Sequence, residues 1–531
     1  MSSAIKLSLL PAAAIAASAL AADWTALNDE ARKESMTVIR PGEPGKAPFW
    51  NGRSKAFIHP PAFEFEKVPG AVKYRFTVIE LDGCVRHEFL ADVPWAPMTP
   101  VWGSVRPGYV LVTAEGVGAK GYTMGVAGAR YCYRAAPFKG PYPSPQASSP
   151  ADYSLAAHRC FQAIYRLPHV QGWLRQDTPP EGYDLYCYPS KILSSLINVM
   201  VRYAASERYC FATGEEAAKA VAIARKMADW LIAQSQPKGA PLEFLPPTYW
   251  GDRRGTAVGY RGQNMLIYPV FAGQAYLRLA KATGDAKYRD AALRIAATMR
   301  GIQNKEGTWW LKVFEKDGSP VRRNLLVPGV EFFDFFEAVA KETGDGGYLG
   351  VADRARAFID AGPFRTWNWD GQFEDMDPMP PYVDLTPVRA FGFSQLLFRK
   401  GRTDDARLTL SWCEDQFAVW SDPIHHMDWK NWKMSTGLEQ YDYYTPIDAT
   451  MANFVRSFLV AWKATGEELY LEKARAMADC IVRNQRKDGT IPTYFDSRGG
   501  SDWVNCMASS ADSLMAFAEA LKSAGKATAG R

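Results

Sequence analysis

The chain has 531 residues, 47% hydrophobic and 22% charged, a balance that excludes a largely disordered or fibrous protein. Its 62 basic residues against 57 acidic ones leave a formal charge of +5, too small and too evenly spread for a nucleic-acid-binding face. Aromatic residues reach 13%, with 17 Trp, 25 Tyr and 27 Phe.

Residues 1–21 have the pattern of an export signal: Lys6 opens it, Leu7 to Leu20 is apolar, and Ala19-Leu20-Ala21 is a small-x-small cleavage site. The apolar run of about 14 residues falls short of the ~20 that a spanning helix needs, and Asp23 ends it. The expectation is an exported chain, periplasmic or extracellular, with no membrane insertion, beginning near Ala22 and followed by an extension over 22–46. Eight cysteines contain no C-x-x-C pair, which argues against a zinc ribbon. An oxidising compartment would permit disulfides such as Cys84–Cys132, with the pairing left open. No cofactor and no metal are expected.

Between 47 and 135 the apolar residues alternate, as in Ala62-Phe63-Glu64-Phe65-Glu66 and Val72-Lys73-Tyr74-Arg75-Phe76-Thr77-Val78, with Pro69-Gly70 between the runs. Further runs follow at 86–89 and 109–114. This is the spacing of a small β-sandwich, and the segment resembles fibronectin type III or immunoglobulin-like modules. The stretch Gly116-Val117-Gly118-Ala119-Lys120-Gly121 lacks the Ser or Thr of a phosphate loop and predicts a hairpin. The Pro- and Ser-rich segment 136–150 predicts a linker.

Over 151–525 the pattern is helical and repeats itself. Ala282-Thr283-Gly284-Asp285-Ala286-Lys287-Tyr288 aligns with Ala464-Thr465-Gly466-Glu467-Glu468-Leu469-Tyr470, without a gap as far as Gly307-Thr308 against Gly489-Thr490. Related turns start at Thr213, Thr343 and, more weakly, Thr403, giving intervals of 70, 60, 60 and 62 residues. Each turn has Gly to end one helix and an acid to start the next, so each repeat is a helical hairpin. Helices are predicted at 153–169, 188–211, 215–235, 265–282, 286–303, 329–342, 346–361, 384–400, 404–420, 448–464, 467–486 and 505–523. Six hairpins in a ring resemble the (α/α)6 toroids of six-hairpin glycosidases and toroidal polysaccharide lyases; an open solenoid is the alternative.

In a ring the short turns share one end, and the long connections, near 170–187, 236–264, 304–328, 362–383, 421–447 and 487–504, share the other. Long loops in a compact domain are usually functional. These hold Trp250, Trp309, Trp310, Trp367, Trp369, Trp429, Trp432 and Tyr444, whose ring faces suit the C–H face of a sugar; about half of the rim rings are expected only to pin the loops. Trp250, Trp309, Trp369 and Trp429 are expected to surround one cavity.

Three clusters contain candidate chemistry. The run from Asp252 to Asn264 offers Arg254, Tyr260, Arg261 and Asn264, able to hold a carboxylate and pass a proton, or simply to form a surface loop paired with Asp252. Glu374, enclosed by Trp367, Trp369 and Phe373, is a candidate general acid, ordinary loop bonding being the alternative. His425 and His426, with Tyr443 nearby, offer a general base.

The layout resembles toroidal lyases of alginate or glucuronan at least as much as the hydrolases. The lyase resemblance implies β-elimination on a uronic-acid polysaccharide or oligosaccharide through Arg254 or Arg261, Asn264, His425 or His426, and Tyr260 or Tyr443. A glycoside hydrolase would instead pair Glu374 with Asp442, Asp428 or Asp384. A non-catalytic glycan-binding protein is the third reading. Of these, the lyase is the preferred expectation; oligomeric state is left open.

Overall fold

The computed structural model describes residues 22–39, 54–142, 149–206, 211–327, 329–369, 373–374, 386–421, 435–439, 445–495 and 502–529. The export signal expected over 1–21 lies outside them. Among the described residues no helix is long and apolar enough to cross a membrane.

Helix α1 (Trp24–Glu34) falls in the extension for which no element is predicted; Asp23 caps it by accepting from the backbone of Thr25 and Ala26. Five strands follow: β1 (Ala56–Phe57), β2 (Lys73–Glu80), β3 (Arg86–Ala91), β4 (Gly108–Val117) and β5 (Thr123–Arg134), with the short α2 (Thr99–Trp102) between β3 and β4. The described strands make one sheet, ordered β1-β5-β4-β2-β3, with β1 parallel to β5 and the others antiparallel. Alternation along β2 and β4 buries Phe76, Val78, Val110, Val112 and Ala114 on one face. A sandwich would supply a second sheet over that face, and the described residues between 54 and 142 form one sheet. Period-two alternation reports that a face is covered but not what covers it. The stretch 116–121 turns between β4 and β5 as predicted, with Gly121 N–H donating to Gly118 C=O. Cys84 is exposed and Cys132 buried opposite Val110, and both are free thiols.

The sheet is clamped to the helices. The Asp415 carboxylate accepts from the backbone N–H of Ile58 (2.6 Å) and His59 (2.8 Å) just after β1. Glu34 of α1 and Glu414 both bind the buried ammonium of Lys473, the latter at 2.8 Å.

The rest is an (α/α)6 toroid. Its helices are α3 (Pro150–Arg166), α4 (Pro168–Gly172), α5 (Pro189–Ala205), α6 (Gly214–Ala233), α7 (Gly255–Gly259), α8 (Tyr268–Thr283), α9 (Ala286–Gly301), α10 (Val330–Thr343), α11 (Gly347–Ala361), α12 (Pro363–Thr366), α13 (Val388–Arg399), α14 (Thr403–Phe417), α15 (Asp448–Thr465), α16 (Glu468–Asn484) and α17 (Val504–Ala529). Short strand pairs β6 (Gln263–Met265) with β7 (Lys312–Phe314), and β8 (Ala418–Val419) with β9 (Thr436–Gly437), lie in the long connections. The twelve predicted helices all occur, and α4, α7 and α12 are short additions in the loops.

Helices α5, α8, α10, α13, α15 and α17 pack in that order and α17 returns to α5, so they form a closed inner ring. Outside them α6, α9, α11, α14, α16 and α3 each pair with one inner helix, α3 closing against α17. The inner helices run parallel: Gln395 of α13 bonds Ser457 of α15, and Arg456 of α15 bonds Ser509 of α17, at matching depths. Three of the short turns share one construction. The hydroxyls of Thr283, Thr343 and Thr465 donate one turn back into their own helix and accept from the N–H of the following acid. Gly284, Gly344 and Gly466, at φ 69°, 73° and 76°, supply the left-handed residue that stops the helix. The acids Asp285, Asp345 and Glu467 then pair with Arg225, Arg300 and Arg407 of the preceding outer helices. Thr213 is different: it caps the start of α6, exchanging bonds with Glu216 in a capping box.

Candidate functional site

Since the short turns hold the C-terminal ends of the inner helices, the first turns of those helices and the long loops share the opposite end of the axis. There Pro189-Ser190-Lys191 starts α5, Tyr268 starts α8 and Asp448 starts α15. Glu374, on the connection between α11 and α13, comes down among them and is completely buried.

Every polar group of Glu374 that the fold engages comes from a different segment. Its two carboxylate oxygens lie 2.6 and 2.8 Å from the Lys191 ammonium, and the Tyr268 hydroxyl donates to one of them. Its backbone carbonyl accepts from the Tyr249 hydroxyl at 2.7 Å and from Lys312 at 3.5 Å. Burial, and then the adjacent Glu374 charge, push the Tyr268 phenol well above its usual range, so it stays a donor.

Aromatic faces surround these cations. Lys191 stands 4.3 Å from the centre of the Trp503 ring, and Lys312 stands 3.7 Å from that of Tyr260. Trp503 is stacked with Tyr188, their planes 8° apart, and Arg254 lies over both rings at 5.8 and 5.9 Å. Arg254, Tyr260 and Trp503 are only partly buried, so they form the solvent-facing side of the cluster.

A second carboxyl sits at the same end. Asp448 is fully buried, accepts from the Ser510 hydroxyl at 3.1 Å through Oδ2, and its Oδ1 has no hydrogen-bond partner among the described residues. Burial drives its pKa well above the carboxylate range, which favours the protonated acid. Cys506, on the first turn of α17, is a buried thiol that burial, and then the charge of Asp448, push well above its usual range.

Of the residues expected from sequence, Tyr260, Arg254 and Glu374 meet here. Arg261 does not: it is exposed and binds the Gly251 carbonyl of its own loop at 2.9 Å. Asn264 is buried in β6, donating to the Pro246 carbonyl at 2.9 Å and accepting from Thr248. Trp309, Trp369 and Trp250 do not surround a common cavity. Trp309 is fully buried, stacked 4.1 Å from Phe332 and donating to the Met299 carbonyl. Trp369, also fully buried, packs on Phe393 and Trp412, with Trp367 beside Trp412. Trp250 stands edge-on to Trp230 of outer helix α6 at 5.1 Å, and Trp310 bridges to Leu326 in its own loop. These rings wedge loops between the helix layers, because a large apolar face is stabilised most by complete burial. His425, His426, Tyr443, Trp429, Trp432 and Tyr444 lie outside the described residues, as do Asp384, Asp428 and Asp442. Among the described residues no group of three His, Cys, Asp or Glu could hold a metal ion.

Sequence reading missed Lys191, Tyr268, Lys312 and Asp448. The available signal was position: three of them stand in the first turn of a predicted inner helix, straight after a long loop, and Lys312 follows Trp309-Trp310.

No protein-family model matches the chain, and no curated protein matches it in sequence. Solved structures that resemble it include a family 76 glycoside hydrolase from a bovine Bacteroides thetaiotaomicron strain, at 10% identity and TM-score 0.43, covering 86% of this chain and 95% of that one. A D-mannose isomerase aligns at 14% identity and TM-score 0.47, covering 71% of this chain and 100% of that one. A cellobiose 2-epimerase from Spirochaeta thermophila aligns at 12% identity and TM-score 0.42, covering 62% and 86% respectively.

Proposed function

We propose that the chain is a carbohydrate-active enzyme that hydrolyses glycosidic bonds at the loop end of the toroid. The observation that carries this reading is the contrast between two carboxyls at one end of the axis. Asp448 is held as an acid by burial, with one oxygen unpartnered, whereas Glu374 has an ammonium against both oxygens. Two carboxyls with different environments divide the work of glycoside hydrolysis: one protonates the leaving oxygen, and the ionised one stabilises positive charge at the anomeric carbon or activates water. In this assignment Asp448 is the proton donor and Glu374 the ionised partner. Trp503 and Tyr260, both only partly buried, offer ring faces to the sugar.

β-Elimination on a uronate is the second reading. It draws support from Arg254, a guanidinium stacked on two rings that could receive the sugar carboxylate, with Tyr260 as the proton-transfer group. The commitments of Arg261 and Asn264 within their own loops leave that reading with fewer groups.

The test is product analysis on neutral and uronic-acid polysaccharides. Hydrolysis releases reducing ends without an ultraviolet-absorbing double bond, and Asp448→Asn should lower the rate by roughly 10²- to 10⁴-fold with the fold intact. Arg261→Ala should stay near wild type. An unsaturated product, with Arg254→Gln rather than Asp448→Asn abolishing turnover, would replace the hydrolase with the lyase.

A further inference from the structure

Deeper along the axis the inner helices bring together a second set of charges, independent of the reading above. On α17, Ser509 and Asp512 are three residues apart and share one face. Arg456 of α15 holds that face from one side, donating to the Ser509 carbonyl at 3.0 Å and its hydroxyl at 2.9 Å. Arg202 of α5 approaches from the other, its Nε 2.5 Å from Asp512. Arg278 stands on α8, which packs against α5, and forms no hydrogen bond or ion pair among the described residues. At 1.5 Å per residue from the helix starts, Asp512 and Arg456 lie about 12 Å below the rim, Arg278 about 15 Å and Arg202 about 20 Å, whereas Lys191 lies about 3 Å below it.

Among the described residues Asp512 is the carboxylate these guanidiniums meet; Asp334 of α10 also acts on Arg278 but is ion-paired with Arg399 of α13 at 2.7 Å, and Glu331 of α10 pairs with Arg389 of α13. Burial lowers the pKa of Arg278, with Asp512 acting against this and the like charge of Arg202 adding to it. Arg202 and Arg278 are both exposed to solvent, so their guanidiniums are accessible. The negative ends of the helix dipoles favour cations within the last turn, but Arg278 lies five residues before the end of α8, beyond that range. An accessible guanidinium with no hydrogen bond or ion pair among the described residues, beside two others on neighbouring inner helices, is open to an anion; forks converging from several helices suit a tetrahedral oxyanion.

We propose that these arginines bind a free tetrahedral oxyanion, of the inorganic phosphate class, between Arg202, Arg278 and Arg456. The test measures thermal unfolding and calorimetric binding of inorganic phosphate to the whole chain, against chloride at equal ionic strength. A saturable rise in Tm with phosphate and not with chloride is expected. Arg278→Gln, which breaks no bond within the fold, should weaken phosphate binding by roughly 10- to 100-fold, the loss typical of a hydrogen bond to a charged group. Arg254→Gln, at the other end of the axis, should bind phosphate as wild type does. Equal responses to phosphate and chloride, an unchanged affinity in Arg278→Gln, or a loss confined to Arg254→Gln would each overturn the proposal.

Discussion

Lys191 and Glu374 illustrate how unevenly a buried ion pair is distributed in energy. Together, with the Tyr268 hydroxyl, they leave neither carboxylate oxygen to face an apolar wall. Removing one partner strands the other, which typically costs about 3–5 kcal/mol, whereas removing both costs much less. Lys191→Met should therefore lower stability in urea by about that amount, and Lys191→Met combined with Glu374→Gln should recover a large part of it. Equal losses in the single and double variants would mean that Glu374 has another counter-charge. The pair at the sheet junction behaves differently with pH. Burial pushes Glu414 up to about 7, with Lys473 pulling the other way. The folded state thus holds this proton more tightly than the unfolded chain, so Glu414 contributes least stability once ionised. Its contribution falls as pH rises from the ordinary carboxylate range towards about 7. Glu414→Gln should flatten the slope of Tm against pH across that window, read by thermal denaturation in a pH series.

At the scale of elements, the hairpins were legible and the site largely was not. A Thr-Gly-acid turn is a local device: its hydroxyl, its left-handed glycine and its acid act within a few residues, so sequence alone displays it. Trp309 and Trp369 illustrate the limit, because an aromatic residue in a loop has the same signature whether it faces the axis or is wedged between layers. Lys191, Tyr268 and Glu374 become neighbours only when three separate connections converge. Lone Arg residues inside apolar helices, such as Arg278 and Arg456, carry no local signature that separates a position facing the axis from ordinary helix surface. The repeat extends to a staple absent from the turn itself. Gln303 donates to the carbonyls of Gly307 and Val351, and Gln485 donates to those of Gly489 and Ala156. At Gly307, φ is +85° and an added Cβ would lie 2.7 Å from the Arg354 carbonyl oxygen of α11. Gly307→Ala should cost about 2–4 kcal/mol, combining left-handed strain with a backbone clash, measurable by chemical denaturation.

At the scale of the molecule, the counterpart of that staple completes the ring. Gly489, at φ +91°, would place a Cβ 2.6 Å from the carbonyl oxygen of Arg159 on α3, so the loop after the sixth outer helix in chain order grips the first. Opening this contact loosens no terminal unit, as there is none. Gly489→Ala should consequently lower the whole helical transition by an amount similar to Gly307→Ala, with circular dichroism and tryptophan fluorescence shifting together rather than an early phase appearing in one. The partners of α3 and α17 run in opposite directions, Tyr153 meeting Phe517 and Cys160 meeting the Met507 carbonyl. The start of α3 therefore lies beside the later turns of α17, and the toroid has a seam only because translation must begin somewhere. A gene rearranged to begin at a different hairpin, with the old ends joined by a short flexible tether, would encode the same circle of contacts, and only the position of the seam would change.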